Sequence, residues 1–412
     1  SRVMPSEICF EPLRWDSKAI VLRTNLTYRK SVSGRLMRAV RSRLPERRLD
    51  VHFRFSRPLE VSGDVLALAA STLCGAAFDR IKFAFPVASG TQQAIEAWTK
   101  SEVEAQSHVG TSEPSLRDVG QSELRNKVIL NFSGGFDSLA SRYLLPANHQ
   151  LVSLDFGGRF ARERQFFKKF DPLVIETNIT ETPLRKNSWS FLGLGSILAA
   201  DSLNAAYCSF GAILESTRLQ RNTPYERNST FPPFAAAGLR NAPVAQGLSE
   251  VGTVRVLEQF APELIAESFS SLAGPREEKH VRKWALVEAF RTFEGLDREP
   301  LPTPVHPEVP QYKVGQRFVV DLSALTVAWL GRPDLATCMV SGAENELLPA
   351  ARELDLGFML RADRRLYRNY PAPLMARLEE QLRAAGIEWY SPKDEEACED
   401  VRQFVLGLAQ SE

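Results

Sequence analysis

Lys127 to Phe132 reads KVILNF, a short unbroken apolar run, and SGGFDS follows it directly. An apolar run of that length without alternation suits a strand buried on both faces, the strand type of parallel sheets. The paired glycines let the backbone turn tightly. Asp137 to Leu145 then reads as a helix that Pro146 closes. Buried strand, tight turn and helix together open a βα unit, which commits the chain to an α/β layout. The sequence downstream keeps that grammar. Gln150 to Phe156 and Leu173 to Thr177 read as further buried strands, with a helix over Arg159 to Phe170 between them. A long apolar helix over Ser190 to Asn204 and a strand over Ala206 to Leu214 follow. Strands alternating with helices predict a doubly wound, mainly parallel sheet.

The flanks read differently. Residues 1–122 form an N-terminal α+β accessory domain with its linker, residues 123–342 the α/β domain, and residues 343–412 a helical C-terminal region. In the first segment Ala19 to Leu26, Val51 to Phe55 and Arg80 to Phe85 read as strands. Ser33 to Arg43, Val65 to Ala77 and Gln92 to Gln106 read as helices, and Ser107 to Ser122 as the linker. In the last segment Leu374 to Ala385 is a clear amphipathic helix. The polar, Pro-rich stretch from Arg218 to Phe234 reads as a long loop, and such loops are more often functional than not.

Composition removes several function classes. Lys plus Arg is 51 and Asp plus Glu is 50, a net charge of +1, so no global attraction to nucleic acid or anionic lipid is built in. The Arg35 to Arg48 run (RLMRAVRSRLPERR) is the best local candidate for such a partner, and a solvated helix face is the competing reading. No apolar run reaches the roughly 18–20 residues a membrane span needs. Ser1 to Trp15 lacks the basic start and apolar stretch of a signal peptide, so a cytoplasmic location is expected. The five cysteines are widely spaced without a CxxC, which argues against disulfides and a thiolate zinc site. The five histidines form no HxH or HxxxH pair.

The chemistry concentrates in Ser133, Gly134, Gly135, Phe136, Asp137 and Ser138. Ligands of open α/β sheets bind at the carboxyl ends of strands. The free N–H groups of the following helix and its dipole favour an anion there. Ser133 and Ser138 can donate to phosphate oxygens. Asp137 has the wrong sign for that and suits Mg²⁺, which bridges and neutralises phosphates. A chance match to SGGxDS in a chain of this length is on the order of one in a thousand at average residue frequencies. The plain alternative is a Gly-Gly turn with a Ser/Asp helix cap and no ligand.

SGGFDS resembles the pyrophosphate loop of the N-type ATP pyrophosphatase superfamily. That resemblance implies an adenine nucleotide alpha hydrolase-like fold, ATP with Mg²⁺, and adenylation of a carbonyl or carboxylate oxygen with release of pyrophosphate. In such a site the loop residues Ser133 to Ser138 hold the nucleotide and Asp137 holds the metal. Leu154 to Arg159 (LDFGGR) with Arg162 and Glu163, and Lys186-Asn187 with Phe191-Leu192, resemble segments of 7-cyano-7-deazaguanine synthase. Two substitutions separate them: Gly158 stands for that family's Gln and Lys186 for its Arg. By this resemblance Asp155 contacts the nucleotide, with a helix or turn cap as the competing reading, and Lys186 reaches the phosphates as a catalytic cation, with an ordinary surface lysine as the alternative. Arg159, Arg162, Asn187 and Tyr225 would contact substrate, with Arg227 and Asn228 in the same loop; for the two arginines a phosphate contact or surface salt bridges with Glu163 are the alternatives. Phe231 to Phe234 (FPPF) would form a rigid lid or loop packing.

The departures shape the expectation. The synthase family carries a four-cysteine zinc site, whereas here only Cys338 lies near that place and Ala343 to Tyr367 holds no cysteine, so no zinc is expected. The N-terminal module has no counterpart in the minimal synthase and would suit a protein partner. The leading expectation is an ATP-dependent ligase or amide-forming enzyme acting on a small carboxylate resembling 7-carboxy-7-deazaguanine, with ammonia or another amine as acceptor. Synthase-like proteins also occur in anti-phage operons, and a homodimer is compatible with the sequence. A tRNA-modifying or thiolating enzyme is the second reading, favoured by Arg35 to Arg48 and opposed by the balanced charge. A nucleotide-binding scaffold that has lost catalysis is the third.

Overall fold

The computed structural model describes residues 5–27, 46–107, 125–225, 229–272, 277–305, 307 and 309–409. Its strands are β1 (Glu7–Trp15), β2 (Ala19–Thr27), β3 (Glu46–Phe55), β4 (Arg80–Pro86), β5 (Glu102–Gln106), β6 (Lys127–Asn131), β7 (Gln150–Asp155), β8 (Leu173–Thr177), β9 (Ala205–Ser209) and β10 (Arg240–Asn241). They form a ten-stranded sheet in the order β10-β9-β6-β7-β8-β3-β2-β1-β4-β5. The apolar run KVILN became β6, with Val128, Ile129 and Leu130 all buried, as a strand covered on both faces requires.

β6 through β10 pair in parallel. From β6 the chain adds β7 and β8 on one side, then returns to lay β9 and β10 on the other. The strand order therefore reverses between β6 and β9. A crevice opens at the carboxyl ends of strands at such a reversal. The expected α/β layout with a mostly parallel sheet is observed.

The helices are α1 (Gly63–Ser71), α2 (Ser89–Thr99), α3 (Phe136–Leu144), α4 (Ala161–Phe167), α5 (Leu194–Ala199), α6 (Pro232–Ala236), α7 (Glu250–Phe260), α8 (Pro262–Leu272) and α9 (Glu278–Glu294). After them come α10 (Phe318–Trp329), α11 (Pro333–Met339), α12 (Ala343–Glu353), α13 (Ala372–Ala384) and α14 (Pro392–Leu408). Side chains alternate across β6. Val128 and Leu130 join a core with α3, α4 and α7–α14. Ile129 faces the other way, into a core with α1, α2, α5 and α6.

That second core also holds Ile8, Leu22, Phe53 and Ile81 from β1–β4. β3 pairs antiparallel with β8 through Phe53 opposite Thr177 and Phe55 opposite Ile175. The N-terminal strands thus continue the central sheet, and the boundary read at residue 122 divides the sequence without dividing the sheet. The C-terminal helices likewise share the first core, through Leu374, Leu378, Val401 and Val405.

Several elements differ from the sequence reading. The helix expected over Gln92 to Gln106 stops at Thr99, because Lys100 takes a left-handed conformation (φ 61°), and Glu102–Gln106 forms edge strand β5. The helix expected over Ser190 to Asn204 divides into a 3₁₀ turn, Trp189–Gly193, and the short α5. The strand expected to reach Leu214 ends at Ser209, and a π-helical turn, Glu215–Leu219, follows. FPPF opens α6, with the prolines at its first positions where a missing N–H costs nothing. The helix read at Ser33 to Arg43 lies outside the described residues, as does all of the linker read over Ser107 to Ser122 except Ser107.

A fragment beginning at residue 123 would expose the apolar face that β1–β4 and α1 now cover. It is expected to aggregate or to lose its cooperative urea transition. A soluble fragment with the near-UV circular dichroism of the intact chain would contradict a shared core.

Candidate functional site

SGGFDS links the carboxyl end of β6 to α3, at the reversal of strand order. Gly134 sits at φ +83°, and a Cβ there would lie 2.6 Å from the Phe166 ring. Only glycine meets both conditions. The loop is pinned from α8, where the Ser268 hydroxyl donates to the Gly134 carbonyl at 2.7 Å. Gly211, just past β9, presses on the loop from the opposite side: a Cβ there would be 3.1 Å from Ser138 N.

Two loop amides are already engaged within the turn. Ser133 N–H donates to Ser138 Oγ and Gly135 N–H to Ser133 Oγ, each at 3.3 Å. The N-cap of α3 is Gly135, which supplies no side-chain cap. No side chain caps the first-turn amides of α3, an arrangement that suits an anion at a helix N-terminus.

Asp137 leads α3 into a charge network that crosses α7 and α9. Its Oδ1 accepts from the Thr253 hydroxyl at 3.2 Å and lies 3.9 Å from Lys283 Nζ. Lys283 also pairs with Glu250, whose carboxylate accepts from Arg282 at 2.8 and 2.9 Å. Burial alone would lower the Lys283 pKa, but the Asp137 and Glu250 carboxylates hold it above the usual lysine value, so a charged ammonium stands beside the loop. Burial raises Asp137 against the pull of Lys283. Burial would raise Glu250 too, but Arg282 and Lys283 overcome it and bring its pKa down to about 2. Glu215 accepts the Glu250 N–H at 2.8 Å, while its Oε2 is buried with no partner. Burial, with the neighbouring Glu250 charge, pushes Glu215 up to about 8.

A cavity of about 920 Å³ opens over the loop. Its lining includes Ser133, Gly135, Phe136, Asp137 and Ser138, with the cations Lys279, Lys283 and Arg221 and the carboxylate Glu163. An aromatic wall of Trp189, Phe210, Phe231 and Phe234 completes it.

Among the described residues, Asp155, Arg162, Lys186, Asn187 and Tyr225 do not line this cavity. Asp155 is buried and closes a turn, accepting from Gly157 N–H at 2.9 Å and from Arg164 at 3.2 Å. Lys186 is exposed on a 3₁₀ turn, and Asn187 donates to the Leu73 carbonyl at 2.9 Å, bracing the N-terminal segment. Tyr225 donates to Asp363 at 3.1 Å, and its ring meets the guanidinium groups of both Arg218 and Arg365. Arg162 is exposed on α4. Arg159 belongs to a 3₁₀ turn, and its side chain, like Arg227 and Asn228, lies outside the described residues.

The sequence reading missed Lys279, Lys283, Thr253 and Glu250. Lys279 and Lys283 are spaced i, i+4 on α9, which places both on one helix face. That spacing was a readable signal, but an EKHVRK stretch is equally at home on a solvated helix. Among the described residues, no group of three or more His, Cys, Asp or Glu could hold a metal ion. No protein-family model matches the chain, and neither does any curated protein or solved structure with which it was compared.

Gly134→Ala is expected to lower the stability of the chain by about 1–2 kcal/mol or more, because a left-handed alanine costs about that much before the Phe166 clash is counted. Urea denaturation measures it, and unchanged stability would contradict the requirement for glycine in this turn. A second expectation concerns pH. The folded-state pKa of Glu215 lies above its ordinary value of 4.5, so the folded chain binds the extra proton and stability falls as pH rises from about 4.5 to about 8. Glu215→Gln should flatten that decline in urea denaturation at stepped pH. An identical decline in the variant would show that Glu215 does not cause it.

Proposed function

We propose that the chain is an ATP-dependent adenylating enzyme that activates a carboxylate or carbonyl oxygen and releases AMP and pyrophosphate. The observation that carries this reading is the SGGFDS loop lying at the strand-order reversal with the Lys283 ammonium beside Asp137. A helix N-terminus without a side-chain cap, hydroxyls at Ser133 and Ser138 and a buried ammonium form a site for a polyanion.

Asp137 fits the metal that the reading implies. Its side chain lines the cavity and keeps 27% of its surface exposed. Mg²⁺ commonly takes one or two protein carboxylates plus substrate phosphates and waters. When bound there, it would supply positive charge that offsets the charge on the departing pyrophosphate.

The chain's own groups do the rest. The loop and Lys283 orient the terminal phosphates of ATP, so that the bond to the α-phosphorus breaks as the substrate oxygen forms its own bond there. Positioning and charge stabilisation suffice, and no protein nucleophile is required. An amine then displaces AMP from the activated carbon. A carboxylate resembling 7-carboxy-7-deazaguanine is the leading substrate, with ammonia or a partner's amine as acceptor.

The engaged amides of Ser133 and Gly135 favour a second reading, a scaffold that holds nucleotide without turnover. Pyrophosphate release separates the two. In the presence of a competent carboxylate, the intact chain should release pyrophosphate. Asp137→Ala should release none while keeping its near-UV circular dichroism, and Lys283→Met should slow release roughly a hundredfold or more. Full turnover in Asp137→Ala would reject the metal-holding role. ATP binding without any release would favour the scaffold.

A further inference from the structure

The aromatic wall of the cavity has a construction that the phosphate chemistry leaves unexplained. Trp189 and Leu192, both on the cavity lining, are among the most exposed large apolar side chains of the described residues, at 51% and 48%. The Trp189 ring contacts Phe231 at 5.0 Å and Phe210 at 5.7 Å between centroids, and Phe210 meets Phe234 edge-on at 5.4 Å. Gly193 makes room for this arrangement, since a Cβ there would lie 2.6 Å from both the Phe210 and the Phe234 rings. Exposed aromatic rings beside a polar loop mark a ligand-binding surface.

The wall is braced from the far end of the sequence. Trp98, the next-to-last residue of α2, packs edge-on against Phe231 at 5.5 Å, and α6 packs on both α1 and α2. The N-terminal segment therefore shapes one side of the cavity, although none of its residues belongs to the loop that would hold phosphate.

The wall's position selects its occupant. Phe210 is followed by Gly211, which touches Ser138 and Asp137 of the loop, so the rings begin directly beside the phosphate end of the site. An attacking substrate atom must come within about 3–3.5 Å of the phosphorus it reacts with. In-line attack puts the body of the substrate next to the α-phosphate, opposite the departing pyrophosphate, whereas the adenine of ATP is held off from that phosphate by the whole ribose. The cavity volume, about 920 Å³, sits near the top of the usual range of roughly 300–1,000 Å³ and leaves room for a second ligand beside the nucleotide.

We infer that Trp189, Phe210, Phe231 and Phe234 receive the flat ring of the substrate to be adenylated, and that Trp98 is a positioning residue that sets the shape of this subsite. The inference rests on the adenylation reading for the identity of the neighbouring ligand. It assigns the N-terminal segment a part in substrate selection.

The test uses the full chain and the fluorescence of Trp189, isolated by difference from Trp189→Phe. The probes are the planar acids benzoate, quinoline-2-carboxylate and indole-3-carboxylate, the non-planar control cyclohexanecarboxylate, and Mg-ATP, titrated alone and together. At least one planar acid should change the Trp189 signal and bind tenfold or more tightly than the control, while Mg-ATP alone leaves the signal unchanged. Trp98→Ala should weaken that acid about tenfold without changing Mg-ATP affinity, and Trp98→Phe should restore it. Planar acids no better than the control would overturn the inference. So would a signal that Mg-ATP alone saturates, because the wall would then hold the adenine. If planar acids bind as expected but the chain binds no Mg-ATP, the adenylation reading fails and the aromatic subsite stands.

Discussion

The buried ammonium of Lys283, held between Asp137 and Glu250, is the interaction on which the site depends. It lies on α9, far along the chain from the loop it stands beside, and it reaches that loop because α3, α7 and α9 pack in one core. A cation taken out of water is costly unless it is paired and hydrogen-bonded. Here two carboxylates pair with it, and Arg282 neutralises the surplus negative charge on Glu250. Glu250 and Lys283 stand paired in charged form beside the loop, and such preorganisation is what the proposed charge stabilisation of a leaving group would use.

Sheet continuity ties the rest of the chain to this site. β3 joins β8 edge to edge, so the N-terminal strands and the parallel strands form one sheet and share an apolar layer. Through α2 and α6 that layer supports the aromatic side of the cavity, while the helices on the opposite face carry the cations. The two faces of the sheet thus supply the apolar and the charged halves of one cleft.

What the sequence revealed follows the range of the interactions involved. The loop and its strand and helix were legible because strand burial, the glycine turn and the helix start are all local. Lys186, Asn187 and Tyr225 were expected at the site from the family resemblance, but the chain after β8 does not place them on the cavity lining. Asn187 bonds to Leu73, and Tyr225 to Asp363, both of them long-range partners that no local pattern specifies. Lys283 was missed for the same reason in reverse: its role is created by tertiary packing. At the end of α2, Lys100 closed the helix early and turned a continuous helical pattern into helix plus strand, a boundary that side-chain periodicity alone does not mark.

If the loop grips the β- and γ-phosphates of ATP as one departing unit, the bond that breaks lies between the α- and β-phosphates. Phosphorus-31 NMR of ATP turned over with a competent carboxylate reads this directly. AMP and pyrophosphate are expected in equal amounts. ADP with inorganic phosphate would place the cleavage at the γ-phosphate and contradict the reading of SGGFDS as a pyrophosphate-binding loop.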